Sequence, residues 1–329
     1  MNAGIDIGAR FVELVFRVNG KSSKAERYEQ SHLGHTKLIK RLKALKPAGV
    51  VMEATGIYYL DLAVALHEAG LPVSVINPRS YHHFAKLKLH PNKTDAQDAA
   101  LLAEYAERMT PPLWIPVKPS RLMLRDLGRQ INRLSGARTQ AKNRLHALRS
   151  KQMSMPLLLE DEVEGIELLD RRINRLQTAA LELIAQDPIL VRQFAHLCSA
   201  KGVANASAIA LLAELAVLPM SLKSPQVSRY AGMDVRLTQS GTSVDRPARL
   251  GKAGNAYLRA ALYMPAMSAI QHDARAKAFY KALVAKGKKK MQALCAVMRK
   301  YLTGLWACIK NDVPFDSSYL FSDIHLKSA

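Results

Sequence analysis

The hydrophobic period of this chain changes once, close to residue 118, and that change limits the possible folds more than any other feature. Before it, short apolar runs alternate with amphipathic stretches. Residues 2–6 and 11–18 read as strands around the turn Gly8-Ala9-Arg10, with a third strand over 25–29. Residues 38–45 read as helix, 49–53 as a short buried strand, and 57–69 as an amphipathic helix stopped by Gly70. Another buried strand covers 72–76, and a helix over 95–108 is entered through Lys93 and Thr94. Strands first, then strands alternating with helices, predict an α/β layer on a mixed sheet. After the change, glycine is rare and a heptad takes over, with Leu127, Ile131, Leu134, Arg138, Ala141, Leu145 and Leu148 stepping by four and three. A second stripe after Pro156 has the same rhythm: Ile166, Leu169, Ile173, Leu176, Ala180 and Leu183. Two such helices predict an antiparallel coiled-coil arm ending at Pro188, with Arg138 in its seam. The expected fold is α/β plus α: an α/β domain over 1–118, the arm over 119–188, and a mostly helical domain over 189–329.

Charge narrows the partners. Lys and Arg number 48 against 27 Asp and Glu, a formal net charge of +21. A surplus of this size favours a polyanion, bound through counterion release along phosphates. Cys198, Cys295 and Cys308 are far apart and show neither CxxC pairing nor zinc-ligand spacing. The start, MNAGIDIG, lacks a basic segment followed by a long apolar one, and no run of about 18 apolar residues occurs. The expectation is a reduced, cytoplasmic protein with no membrane span, acting on nucleic acid in a bacterial nucleoid.

Arg121, Arg125, Arg129 and Arg133 recur every four residues on the first arm helix, and Asp126 is the only acid between Arg121 and Lys151. Like charges at that spacing repel, so the row reads as a phosphate-facing surface, with a solvated coiled-coil flank as the plainer alternative. Residues 197–216 read as helix, Lys201-Gly202-Val203 turn and Ala-rich helix, which resembles a helix-hairpin-helix whose turn lets backbone N–H groups approach phosphate. The Lys286–Lys290 run reads as a solvated helix start, and residues beyond about 314 as a tail.

Four acids carry the chemistry. Asp6 ends the first strand in GIDIG, Glu53 ends a later strand in VMEATG, and Asp95 and Asp98 share one face of a helix's first turn in KTDAQDA. Each alone could be a strand-end or helix cap. Together they can converge on one edge of the sheet, and hard oxygen ligands of this kind suit Mg²⁺ or Mn²⁺. A pair of such ions can stabilise the attacking and leaving oxygens of a phosphoryl displacement.

The element order, with acids on the first strand, a later strand and a late helix, resembles the ribonuclease-H-like, RuvC-like fold. More narrowly, GIDIG, MEATGIYY, VINP and KTDAQDA resemble the DEDD recombinases of bacterial insertion-sequence family 110, whose relatives include site-specific DNA invertases. The stretch RYAGMDVRLTQSGTSVDRPARLGKAGNAYLRAALYMPA resembles the C-terminal transposase signature of that family. The resemblance implies that the four acids hold metal ions, and that Ser240, of the Ser-Gly pair, attacks DNA and becomes covalently linked to it. It further implies a homo-oligomer, a dimer or tetramer, in which one subunit's serine domain meets another's acids. It also implies a structured non-coding guide RNA that pairs with donor and target DNA. Val235 stands where the family pattern has proline, and Ser243 lies close to Ser240 as the alternative nucleophile. Arg246, Arg249, Lys252 and Arg259 follow as candidates to hold the scissile phosphate, or as ordinary basic surface. Gly241, Gly251, Gly254 and Asn255 are expected to shape the loop and helix entry.

Three other readings compete. A RuvC-like endonuclease that only hydrolyses would need the acids and not the serine. A sugar- or acetate-kinase-like ATPase would share GIDIG, but the chain has no second Asp-Gly-x-Gly loop and a net charge ill suited to a small anionic substrate. An RNA-binding scaffold would leave the acids a structural role.

Overall fold

The computed structural model describes residues 1–54, 56, 58–88, 94–240 and 244–321, with the backbone alone at 238, 240 and 244–248. The chain divides into two compact units, Met1–Pro116 and Val117–Ala329.

The first unit is built on one mixed sheet. Strand β1 (Asn2–Ile7) pairs antiparallel with β2 (Phe11–Val18), placing Asp6 opposite Glu13. The free side of β2 takes two short strands, β4 (Glu26–Glu29), which is the expected third strand, and β3 (Lys21–Ser22), which was not expected. Ser23 follows β3: its N–H donates to the Phe16 carbonyl and its Oγ accepts from the Phe16 N–H. On the other side of β1 lie β5 (Val50–Glu53) and β6 (Val73–Ile76), each parallel to its neighbour. The order β3-β2-β1-β5-β6, with only β2 running against β1 and its parallel neighbours, is the ribonuclease-H-like arrangement.

Alternation along the strands assigns the two faces. Ala3, Ile5 and Ile7 of β1, with Val50 and Met52 of β5, pack on Leu38 and Leu42 of helix α1 (His32–Leu45) and on Leu62 and Leu66 of α2 (Tyr59–Glu68). Gly4, Asp6, Val51 and Glu53 therefore point to the opposite face, covered by α4 (Asp95–Met109). A Cβ on Gly4 would collide with the Ala99 carbonyl oxygen and the Ala103 nitrogen, so α4 lies against β1 at a distance only glycine permits. Helix α3 (Pro78–Leu87), absent from the sequence reading, begins at Asn77, whose side chain accepts from the Arg79 N–H, and buries Tyr81 and Phe84.

The second unit is helical around one core. Helices α5 (Pro119–Arg149) and α6 (Pro156–Ala185) run antiparallel, tied by Arg138–Asp170 at 2.6 Å and Arg144–Glu162 at 2.5 Å. The seam arginine thus has an acid across the pair. Leu124, Ile131, Leu134, Ile173, Ala180 and Ile184 of these helices share a core with α7 (Pro188–Cys198), α8 (Asn205–Leu215) and α9 (Ser224–Tyr230). A two-stranded hairpin, β7 (Val235–Ser240) and β8 (Val244–Leu250), precedes α10 (Ala256–His272), α11 (Ala274–Ala285) and α12 (Lys290–Asn311). Residues beyond 314 are not a free tail as far as 321. The short α13 (Ser317–Leu320) leads to Phe321, which is 0% exposed and stacks near Phe279 and Tyr301. No helix among the described residues is long and apolar enough to cross a membrane.

The Gly4 contact yields a direct test. Gly4→Ala should lower the stability of the first unit by about 3 kcal/mol or more, as overpacking does in a site that cannot relax. Urea unfolding followed by tryptophan and far-UV signals reads the loss, and Gly20→Ala, at φ +79° with no neighbour within 4 Å, gives for comparison the smaller cost of backbone strain without a collision.

Candidate active site

Asp6 and Glu53 emerge on the α4 face at the same end of adjacent parallel strands, and α4 runs antiparallel to β1 across Gly4. The first turn of α4, with Asp95 and Asp98, is thereby brought to that end of the sheet. Thr94, not Asp95, caps the helix, its Oγ1 accepting from the Gln97 N–H at 3.3 Å. The positive end of the helix dipole favours carboxylates there.

Asp6 feels the other three acids. The Asp6 carboxyl is raised from 3.8 to about 6, first by its burial and then by the nearby charges of Asp98, Asp95 and Glu53, against a lowering hydrogen bond from the Ile7 N–H. Among the described residues, no three acid, imidazole or thiol groups are gathered closely enough to enclose an ion as they stand. The donor set is nevertheless all carboxylate oxygen, which fits a hard divalent cation such as Mg²⁺ or Mn²⁺. Glu13, opposite Asp6 in register, is kept out of this cluster's charge balance by Arg27, whose Nε lies 2.6 Å from its Oε1.

Tyr81 is a site residue the sequence reading missed. Its hydroxyl donates to Asp98 Oδ1 at 2.6 Å from a ring buried against α4, and burial together with that bond pushes its pKa far up. The phenol stays protonated and fixes one Asp98 oxygen. The Asn77-Pro78 pair in VINPRSY, a capping residue followed by proline at the first helical position, is the signal that would have revealed α3.

In the second unit Ser240 is the last residue of β7, paired with Val244 at the tip of the hairpin; Ser243, with Gly241 and Thr242, lies outside the described residues. The base of the hairpin is laced tightly. Gly251 N–H donates to the Asp234 carbonyl, Lys252 N–H to that of Gly232, and Asn255 N–H to that of Tyr230. Gly232 has φ +67°, and a Cβ on Gly254 would strike the Tyr230 carbonyl oxygen, so both positions need glycine. Val235, in the proline position of the family pattern, simply opens the ladder opposite Leu250.

Below the hairpin sits a buried carboxylate. Glu214, 1% exposed, accepts from Arg129 at 2.6 and 3.0 Å and from Asn255 Nδ2 at 2.5 Å. Asn255 also donates to the Tyr230 hydroxyl at 3.0 Å and caps α10 through the Leu258 N–H. Arg129 lies over the Tyr257 ring, 5.0 Å from its centroid. A lone glutamate in the Ala- and Leu-rich α8 is the sequence signal for such a hub, since a buried charge needs a partner.

The arginine row is not the free stripe expected. Each four-residue step advances about 40° around a helix of 3.6 residues per turn, so the row winds onto neighbouring helices. Arg129 is committed to Glu214, Arg121 donates to the Ala216 carbonyl at 3.3 Å, and Arg133 donates to the Tyr257 hydroxyl at 3.3 Å. Arg125 is 3.6 Å from Asp126. Arg259 likewise turns inward, donating to the Ala231 carbonyl at 2.8 Å beneath the hairpin. Lys201 is exposed in the turn between α7 and α8, where Gly202 has φ +89° and sits against α10, and Lys252 is exposed after the hairpin. Arg249 is exposed on β8 directly opposite Arg236, and neither has an acidic partner among the described residues. Like charges in that register repel, and a polyanion would relieve them. Only the backbone of Arg246 is described, opposite Thr238.

Residues 3–150 match the DEDD model of IS110 elements, described as a transposase, and residues 195–281 match the model described as transposase IS116/IS110/IS902 family. The chain is 32% identical over 270 residues to the pilin gene-inverting protein of Moraxella bovis, covering 81% of each, and equally so to that of Moraxella lacunata. A solved structure, T. thermophilus RuvC in complex with a Holliday junction substrate, overlaps 33% of this chain and 94% of its own at 20% identity and a TM-score of 0.26.

Two measurements follow from this geometry. A carboxyl raised in the folded state favours stability below about pH 4, and that advantage is lost as pH rises through about 6. In chelator, Asp6→Asn should therefore match wild type near pH 4 and exceed its stability by about 1–2 kcal/mol at pH 7, discounting for solvent screening. Equal stability at both pH values would remove the repulsion. For the hub, Glu214→Ala should cost about 3 kcal/mol or more by stranding Arg129. The double variant with Arg129→Ala should cost clearly less than the sum of the two single losses.

Proposed function

The chain belongs to the IS116/IS110/IS902 family of transposases and is a DNA recombinase, and from that premise we propose that it cuts and rejoins DNA by metal-assisted phosphoryl transfer through a covalent serine link. The observation that carries this reading is the convergence of Asp6 and Glu53, at the same end of adjacent parallel strands, with Asp95 and Asp98 in the first turn of α4. Glu53, Asp95 and Asp98 are close enough for all three to raise the Asp6 carboxyl. Those four would hold Mg²⁺ or Mn²⁺, two ions in all, whose charge stabilises the attacking and leaving oxygens of a phosphoryl displacement.

Tyr81 keeps Asp98 oriented for that duty by occupying one of its oxygens. The Ser240 hydroxyl attacks the scissile phosphorus, the phosphorus–oxygen bond to the departing sugar breaks, and the serine proton leaves on the sugar hydroxyl. The serine phosphodiester retains the energy of the broken bond, so attack by another strand's hydroxyl rejoins DNA without a further energy source. The hairpin's glycine-laced base and the Glu214 hub support this role by holding the strand that ends in Ser240.

The acids belong to the first unit and Ser240 to the second, which is compatible with the homo-oligomeric exchange of domains implied by the family. Inversion of a pilin gene, named for the Moraxella relatives, is the kind of reaction proposed here: donor and target DNA exchanged strand for strand. We extend the reading to a structured guide RNA. The +21 net charge supports a load of polyanion this large, with base pairing to read sequence and protein to read backbone. The protein would act in the bacterial cytoplasm, on the nucleoid. The Lys201 turn and the Arg236–Arg249 pair, with Arg246 and Lys252, are the phosphate contacts we assign in the second unit.

Asp98→Ala should abolish recombination of a plasmid carrying the element ends while leaving guide-RNA binding within about twofold. Ser240→Ala should eliminate the protein–DNA adduct recovered after denaturation, and Ser243→Ala should retain it. Recombination surviving Asp98→Ala would refute the metal site. Strand cleavage persisting in Ser240→Ala without any adduct would establish the purely hydrolytic enzyme instead.

A further inference from the structure

The end of the sheet that carries Asp6 and Glu53 has a second feature on its other face, beside α1 and α2, that the chemistry above does not use. A cavity of about 470 Å³ opens between the starts of α1 and α2. Strand β4 is antiparallel to β2, as β1 is, so Gln30, which follows it, leaves the sheet at the same end as Asp6 and Glu53. Tyr58, on the other wall, follows Glu53 by five residues, a reach of at most ~18 Å, or about five base steps at 3.4 Å each.

The frame of this cavity is fixed independently of its exposed side chains. The His35 ring is hydrogen bonded to Gln30 Oε1 at 2.6 Å, and Gln30 Nε2 donates to the Tyr58 carbonyl at 2.9 Å. The Ser31 hydroxyl is occupied in capping α1 through the Gly34 N–H. What remains facing the space is the Tyr58 ring, 48% exposed, the Asp61 carboxylate, His32, Thr36, and an apolar patch from Ile39 and Ala65. In a chain of net charge +21, no lysine or arginine among the described residues lines this cavity and a carboxylate does. Phosphate is therefore repelled from it. A flat, uncharged heterocycle with an amino group to donate is complementary: a face for Tyr58, an apolar edge for Ile39 and Ala65, and a donor for Asp61. Burial lowers the pKa of His35, which keeps that wall uncharged.

We propose that this cavity receives an unstacked nucleobase of the DNA being cut, stacked on Tyr58 and read by Asp61 through its exocyclic amino group. The choice of DNA rests on the recombinase reading; the preference for an amino-bearing base over thymine rests on the cavity alone. Enzymes that work on the DNA backbone or bases accept such extrahelical bases by stacking on aromatic rings and by hydrogen bonds to the base edge.

The test uses the full-length protein with single-stranded oligonucleotides, oligo-dC bearing one 5-iodocytosine against oligo-dT. Irradiation followed by peptide mapping should place the adduct on Tyr58 or His32. Tyr58→Ala should weaken oligo-dC binding by about tenfold, the usual consequence of losing one stacking partner, and Tyr58→Trp should restore it. Asp61→Ala should narrow the preference for oligo-dC over oligo-dT. Adducts confined to other residues, or unchanged affinity in Tyr58→Ala, overturn the proposal, as does stronger capture of the matching iodocytosine RNA than of DNA. Failure of the recombinase reading is seen separately: strand transfer would then survive loss of the acids while the Tyr58 adduct still formed.

Discussion

The contact between α4 and β1 across Gly4 is the constraint on which the first unit's chemistry depends. Two of the four acids stand on the strand side, Asp6 on β1 and Glu53 on its parallel neighbour; the other two stand on the helix side. Small residues at Ala99 and Ala103 and the missing Cβ of Gly4 let the backbones approach closely enough for four carboxylates to share a field. Close approach has an electrostatic cost, visible in the raised Asp6 carboxyl. A divalent cation held among these carboxylates, as proposed above, would relieve that cost.

The second unit solves a different problem, that of holding a short hairpin whose tip carries a serine. A two-stranded ribbon is marginal by itself. Here its base is tied by backbone bonds through Gly232, Gly251 and Gly254, and then to the core by Asn255. Asn255 caps α10 and reaches Glu214, which Arg129 of α5 neutralises. One buried carboxylate thereby links three helices and the hairpin. The exposed Arg236 and Arg249 remain above this anchor, opposite each other in the ladder and with no acidic partner among the described residues.

Much of this was legible in the amino-acid sequence, and the exceptions have physical causes. Short apolar strands bounded by Gly and Pro, and the helix start within KTDAQDA, were read within a few residues because local chemistry determines them. The four acids were legible for the same reason, since each sits at an element end. Helix α3 escaped because its buried residues, Tyr81 and Phe84, are isolated among His, Arg and Lys; with it escaped the hydroxyl that holds Asp98. The arginine row was read as one surface because four-residue spacing looks straight on paper, whereas the helix turns it onto α8 and α10. The tail was misjudged because Phe321 acts at long range, filling a place beside Phe279 and Tyr301 that no local pattern reveals.

Asp6, Glu53, Asp95 and Asp98 are proposed to act together as one divalent-cation centre. Titration of the full-length protein with Mn²⁺, followed by the loss of the free-ion paramagnetic signal, tests it without any DNA. Wild type should take up the ion, and each of Asp6→Asn, Glu53→Gln, Asp95→Asn and Asp98→Asn should weaken uptake by about tenfold or more. Tyr81→Phe should weaken it by a smaller factor. Equal uptake by wild type and all four variants would contradict the account.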